Sequence, residues 1–190
     1  MVAPRASGRP RRSRNETAEK RAEIISAARR LFAEEGFESV SIRRLMNAVG
    51  LSPMMFYQFF PHKRAVLRHI WTDIFQEFFQ TCETATGRRR AAGAQLKAYL
   101  TAAIRFWLDH PDRYRMIYMY EDQAEDKADE LYATTPGALA RLEFPRDIIV
   151  RGIERGEFRR VDVDLTLQSL IVLIHGLAYS LVTIPEFPWT

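Results

Sequence analysis

The stretch from Ser41 to Lys63, SIRRLMNAVGLSPMMFYQFFPHK, restricts the fold of this chain more than any other. Across Ser41–Ala48 the apolar residues Ile42, Leu45 and Met46 recur at one-turn spacing. That spacing predicts a short helix with one buried face, leaving Arg43, Arg44 and Asn47 outside. Ser41 stands where an N-cap is needed. Gly50 supplies the permissive backbone of a tight turn, and Leu51 offers a plug into the core. Ser52-Pro53 then restarts the chain as N-cap and first helical residue of another short helix. Two helices about so tight a turn form a helix-turn-helix, whose second helix enters the major groove of DNA. A plain helical hairpin in an all-helical protein satisfies the same spacing.

From Asn15 to about Ile70 the residues resemble the TetR (tetracycline-repressor) family of transcriptional regulators. The resemblance is carried by Ile24, Ile25, Ala28, Leu31 and Phe32, then Glu35-Gly36-Phe37, Ser41-Ile42, Leu45, Ala48-Val49-Gly50-Leu51-Ser52, Tyr57, Phe60 and Lys63. It implies an all-α fold: a three-helix DNA-binding head with a helix-turn-helix, joined by a fourth helix to a helical ligand-binding and dimerisation domain. The corresponding divisions are a disordered basic arm over 1–14, the DNA-binding domain over 15–62 and the regulatory and dimerisation domain over 63–190. Beyond Ile70 the match weakens, although His110-Pro111 and the segment Arg151 to Phe158 resemble junctions of the family's body. The implied function is that of a ligand-responsive regulator, a repressor released from a palindromic operator by a small lipophilic or aromatic effector. The alternative is a helical interaction protein that has lost DNA binding.

Charge agrees with a nucleic-acid partner. Residues 1–64 hold thirteen Lys or Arg against six Asp or Glu, a formal +7 within a chain of +4, so residues 65–190 stand near −3. The positive charge is concentrated where phosphates would be met. Arginines 5, 9, 11, 12 and 14 give the arm a composition suited either to the minor groove or simply to solubility. The one cysteine, Cys82, excludes an internal disulfide and argues against a cysteine-ligated zinc site. Nothing in the sequence suggests secretion, and a cytoplasmic location is expected.

Within the second helix of the motif, Tyr57 matches a family tyrosine and Lys63 a family lysine, and the resemblance implies phosphate contacts for both. Such contacts position a protein without reading sequence. Ser52 is a cap that can also reach phosphate, beside free N–H groups suited to an anion. Arg43 and Arg44 complete the basic surface. The segment departs from the family pattern at Pro53, at Met54-Met55 and at Gln58-Phe59, which leaves few polar groups facing bases. Gln58 is suited to adenine, and Met54, Met55 or Phe59 to thymine methyl groups. For the two methionines, packing inside the head is an equal reading.

In the body, helices are expected at about 93–109, 112–122, 124–134, 137–155 and 163–182, after a helix that starts near Pro61 and carries Val66, Leu67, Ile70, Ile74, Phe75 and Phe78. The first helix of the chain is expected over about 16–35. Aromatic and sulfur side chains crowd the span from Tyr99 to Tyr120. Either they are core, or a subset walls an effector pocket; Tyr99, Trp107, Tyr118 and Met119 are the candidates. Glu121 and Asp122 are suited to a cationic group near the pocket mouth, but a solvated acidic face running on through Glu125, Asp126, Asp129 and Glu130 is the favoured reading. Leu165–Ile184 is apolar nearly all round and close to the length that spans a bilayer. Gln168, Ser169, His175 and Ser180 interrupt it, which favours a homodimer interface formed with the preceding helix over a membrane span. For His175 a satisfied core or interface histidine is favoured over an effector ligand. No histidine lies in a metal-ligand pattern and no phosphate loop is present, so no catalytic residue, metal or cofactor is expected.

Overall fold

The computed structural model describes residues 14–119, 140–186 and 188. The arginine-rich arm, the helix expected over 124–134, Glu121 and Asp122 lie outside the described residues. Among those described the regular structure is helical throughout, and the chain divides after Leu67 into two compact units.

In the first unit, α1 (Arg14–Glu35) buries Ile24, Ala28, Leu31 and Phe32, a stripe at three- and four-residue spacing. Packed against it is α2 (Ile42–Ala48), which turns Leu45 and Met46 inward. Ser41 caps α2: its Oγ accepts a hydrogen bond from the Arg44 N–H at 3.1 Å, an interaction typically worth about 1 kcal/mol. Gly50 takes φ +66°, and a Cβ there would meet nothing within 4 Å. The glycine is therefore demanded by backbone conformation, not by crowding.

The next element differs from the helix expected. Pro53–Gln58 is a 3₁₀ helix, with the Met55 N–H on the Ser52 carbonyl and the Phe59 N–H on the Phe56 carbonyl, three residues apart. Pro53 removes one donor, and the few residues between Pro53 and Pro61 give little return for nucleating an α-helix. Ser52 occupies the cap position, but its side chain makes no capping hydrogen bond.

α3 (Lys63–Thr86) begins in the first unit and runs on into the second. The second unit continues with α4 (Ala92–Asp109), α5 (Pro111–Tyr118), α6 (Glu143–Glu154) and α7 (Val163–Thr183). Pro111 is pre-set for the first turn of α5, where its missing N–H costs nothing. α4 packs on α5, α6 and α7, and α6 on α7. Inward positions Ala92, Tyr99, Ala103, Phe106 and Trp107 make the α4 face of this core.

The segment Arg151–Phe158 closes α6. Phe158 folds back so tightly that a Cβ on Gly152 would stand 2.2 Å from its Cδ2 and 3.0 Å from Ala92 Cβ. The Glu157 and Phe158 N–H groups both donate to the Gly152 carbonyl, at 2.9 and 3.0 Å. Glu157 Oε2 in turn accepts the Ala92 N–H, supplying the cap that Ala91 lacks at the start of α4. The residues of this junction thus tie the end of one helix to the beginning of another. α7 has its own cap, Asp162, whose Oδ1 accepts the Leu165 N–H at 2.9 Å.

Candidate DNA interface and effector cavity

The turn geometry of the first unit decides what the 3₁₀ helix presents. Phe56 is fully buried, edge-on to Tyr57 and 5.6 Å from the Phe60 ring. With Phe56 as anchor, Met54 is turned out at 79% exposure and Tyr57 at 60%, beside exposed Ser52 and Gln58, while Met55 and Phe59 are half-buried. The two methionines, equivalent in the sequence, are therefore not equivalent in the fold. Met54 is a thioether held in water, and Met55 packs in part.

The basic residues differ as well. Arg43 is exposed. Arg44 Nη2 lies 2.8 Å from Glu35 Oε1, a surface pair that solvent screens. Lys63 Nζ donates to the Phe37 carbonyl at 2.7 Å and stands 4.1 Å from the centroid of the Phe37 ring. Burial lowers its pKa, opposed by the nearby Glu38. The ammonium thus has one donor committed inside the unit, leaving its others for an outside acceptor.

The second unit contains a cavity of about 180 Å³. α3 contributes Phe75, Phe78 and Phe79, and α4 contributes Leu96, Tyr99 and Leu100. Tyr118 of α5, Leu142 and Pro145, and the α7 row Leu167, Leu170, Ile171, Ile174 and His175 also line it. Among the described residues no Asp, Glu, Lys or Arg lines it.

The four effector candidates fall in different places. Tyr99 and Tyr118 line the cavity, and burial raises both phenol pKa values, keeping them neutral. Tyr118 retains 40% of its surface, consistent with a ring that forms part of the wall. Trp107 is not part of the wall: it is fully buried behind it, stacked on Phe78 at 5.0 Å and edge-on to Tyr118 at 5.7 Å. The largest side chain available was taken up by packing. Met119 follows the end of α5 at 40% exposure and is likewise absent from the wall.

His175 corrects the sequence reading. Its Nδ1 is buried with no hydrogen-bond partner, and the ring faces the cavity, 4.6 Å from the Tyr118 ring. Burial lowers its pKa, so the imidazole is neutral. The α7 residues Leu167, Leu170, Ile171 and Ile174, which the sequence assigned to an interface, form cavity wall instead. The opposite α7 face, with Leu165, Val172, Leu173 and Leu177, is exposed. Two separate faces explain why the helix is apolar nearly all round, a distinction that hydropathy alone does not carry. Cys82 is buried and free, with its thiol pKa pushed up to about 12 mainly by burial, so it is no nucleophile. Among the described residues no group of three or more His, Cys, Asp or Glu side chains is arranged to hold a metal ion.

A helix-turn-helix with an exposed second element, followed by an all-helical unit, defines a class of DNA-binding regulators. The family profile described as bacterial regulatory proteins, tetR family, matches residues 24–70. The chain is 24% identical over 164 residues to the HTH-type transcriptional repressor KstR2 of Mycolicibacterium smegmatis, covering 82% of this chain and 76% of that protein. Its fold matches the TetR family transcriptional regulator PfmR of Thermus thermophilus with a TM-score of 0.63 and 26% identity, over 87% of this chain and 88% of that one. The transcriptional regulator FadR of Bacillus subtilis, solved in complex with stearoyl-CoA, matches in fold with a TM-score of 0.68 at 18% identity, over 87% and 89% of the two chains. Residues 24–70 thus carry the signature of the tetR family of bacterial regulatory proteins, and over most of its length the chain is similar to transcriptional regulators of that family.

Proposed function

We propose that this regulator is a repressor that binds a palindromic operator as a homodimer and is released by a small, largely apolar effector. The observation that carries the reading is the division of labour within the 3₁₀ helix: buried Phe56 fixes an element whose exposed Met54, Tyr57 and Gln58 face outward. Tyr57, Ser52, Arg43, Arg44 and the remaining donors of Lys63 supply phosphate contacts that set position. Gln58 and Met54 are the base readers, one for adenine and the other for the thymine methyl group.

The exposed face of α7 supports the dimer. Val172 is 70% exposed, and Leu165, Leu173 and Leu177 share its side of the helix. Gly176 lies among them with nothing within 4 Å of a Cβ position, which permits close approach of a second helix. α7 is long and apolar enough to cross a membrane by length and composition. A second copy meeting it, with α6 alongside, makes a four-helix bundle by two-fold symmetry and removes the same surface from water. An operator target fits a cytoplasmic location.

Effector response follows from α3. Its first residue, Lys63, belongs to the head, and its later turns supply Phe75, Phe78 and Phe79 to the cavity wall. A ligand that displaces those rings acts on the helix that starts the head's last element. Release requires that it favour one arrangement over another; equal affinity for both shifts nothing. The test is selection of duplexes from a randomised pool, followed by titration of the selected site at several salt concentrations. The expected result is a palindrome with half-sites about 10 base pairs apart and affinity that falls steeply with salt. Absence of both an enriched palindrome and a salt slope overturns the reading.

A further inference from the structure

A second basic surface lies in the second unit, assembled from residues that the sequence keeps apart. Two loops meet there: Arg155 Nη1 donates to the Arg90 carbonyl at 3.2 Å, and Glu157 Oε2 accepts the Ala92 N–H. Arg88, Arg89, Arg90 and Arg155 are all exposed. Arg89 is anchored at the end of α3, where its Nη1 donates to the Ala85 and Thr86 carbonyls. Its side chain also lines an open groove between α3 and α4, together with exposed Lys97 and Arg105. Those two stand on one side of α4, about 12 Å apart along the helix axis. The cations thus form one strip that runs from the loops along α4.

Acidic side chains offset only part of this charge. Glu77 is paired with Arg113 at 2.7 Å, and the Glu157 and Asp162 carboxylates are taken up as helix caps, which leaves Asp109 in the groove and Glu154 beside the loop. Among the described residues the side chains of Arg88, Arg90, Lys97 and Arg105 make no hydrogen bond or ion pair. The lining also restricts what can lie on the strip. Its apolar groups are Ala85, Ala94, Ala98, Ala102 and the buried Phe106, and among the described residues no large apolar side chain is exposed in the groove or in either loop. An amphipathic helix seats apolar anchors in its groove, and a bilayer surface takes up apolar side chains; this strip serves neither. Small side chains beside cations let a sugar–phosphate backbone approach closely, and the guanidinium fork matches phosphate oxygens.

We propose that this strip binds the phosphate backbone of a second duplex, whatever its sequence, so that a chain seated on its operator also holds another stretch of DNA. The inference rests on the reading of the head as the operator-binding element.

The experiment is a bridging assay. Operator duplex fixed to beads is loaded with the full chain and offered a fluorescent duplex that lacks the operator, and captured duplex is measured per loaded chain. With four phosphate contacts, its affinity is expected to fall on the order of a hundredfold between about 50 and 200 mM salt. The variant Arg88→Gln, Arg90→Gln, Lys97→Gln, Arg105→Gln should keep operator affinity within about twofold and capture the second duplex at least about tenfold more weakly. It should fold, because the altered side chains are exposed and the stems of glutamine remain. The pair Lys97→Gln, Arg105→Gln is the second variant, expected to lose about half of the salt slope. Capture that survives in the folded variants, or no capture by the parent at low salt, would overturn the proposal. So would a parallel loss of operator affinity and capture, which assigns the strip to the operator duplex itself, or binding that depends on these residues to phosphatidylglycerol vesicles but not to the second duplex. Solution titration with the operator-free duplex separates the two readings. Operator loading without capture rejects the strip alone, whereas duplex binding that the variant loses, in a chain that selects no operator, upholds the strip and rejects the repressor.

Discussion

Replacing Trp107 with alanine tests whether the indole is core or cavity wall. The side chain is fully buried, stacked on Phe78 at 5.0 Å with 24° between planes, and edge-on to Phe106, Tyr114 and Tyr118 at 5.1, 5.6 and 5.7 Å. A tryptophan so placed removes roughly 250 Å² from water. At about 25 cal/mol per Å² that is worth about 6 kcal/mol. The unfolded chain already hides roughly 10–40% of such area, which lowers the figure to about 4 kcal/mol. Its Nε1 is buried without a hydrogen-bond partner, so truncation also removes an unsatisfied donor and returns about 1 kcal/mol. The expected loss is about 3 kcal/mol, at the lower edge of aromatic-to-alanine changes in packed interiors. Urea unfolding followed by circular dichroism measures it. Tyr118→Ala is the comparison: with 40% of its surface accessible it should cost less stability and should weaken the response of operator binding to an apolar effector severalfold. A Trp107→Ala protein that loses under about 1 kcal/mol yet responds to the effector severalfold more weakly would refute the placement of Trp107 as core.

Gly152→Ala should destabilise the protein by about 1–2 kcal/mol in thermal unfolding, because a clash 2.2 Å from the Phe158 ring outweighs the helix propensity gained; Phe158→Ala in the same chain should remove most of that penalty. Glutamate at both Val172 and Leu173 should leave the helical spectrum intact and convert the proposed dimer to monomer in sedimentation, and an unchanged sedimentation coefficient would refute the proposed interface. Tyr57→Phe should weaken all duplexes by a similar factor, whereas Met54→Ala should weaken only those with thymine at one position; both should unfold within about 0.5 kcal/mol of the parent, since both side chains are mostly exposed. His175 has a folded pKa below its ordinary 6.5. Between those two values the unfolded chain binds more protons, so this group's contribution to stability is whole above pH 6.5 and declines as pH falls through that window. Urea midpoints at about pH 7.5 and 5.5 should therefore converge for His175→Leu relative to the parent, and an identical pH dependence would contradict the neutral, buried imidazole.

Local chemistry determined much of this protein without tertiary information. Ser41, Gly50 and Ser52-Pro53 act through backbone rules that operate within a few residues, and the α2 cap, the left-handed turn and the start of the next element lie where those rules put them. The extents of α1, α4 and α7 were legible from runs of apolar residues between local stop signals, and the expected 16–35, 93–109 and 163–182 differ from the observed helices by two residues at most. Packing choices between distant residues were not legible. Nothing near Met54 and Met55 says which one faces water; buried Phe56 decides it. The aromatic run around α4 and α5 carried no mark separating Trp107 from Tyr118, because being core or wall depends on α3 and α7 arriving from dozens of residues away. His175 illustrates the same limit. Its side chain would have found a partner in most cores, and only the assembled wall of α3, α4, α5 and α7 leaves its Nδ1 without one. Hydropathy records that a residue prefers to be buried, while the neighbours it meets there are set by the closure of the whole unit.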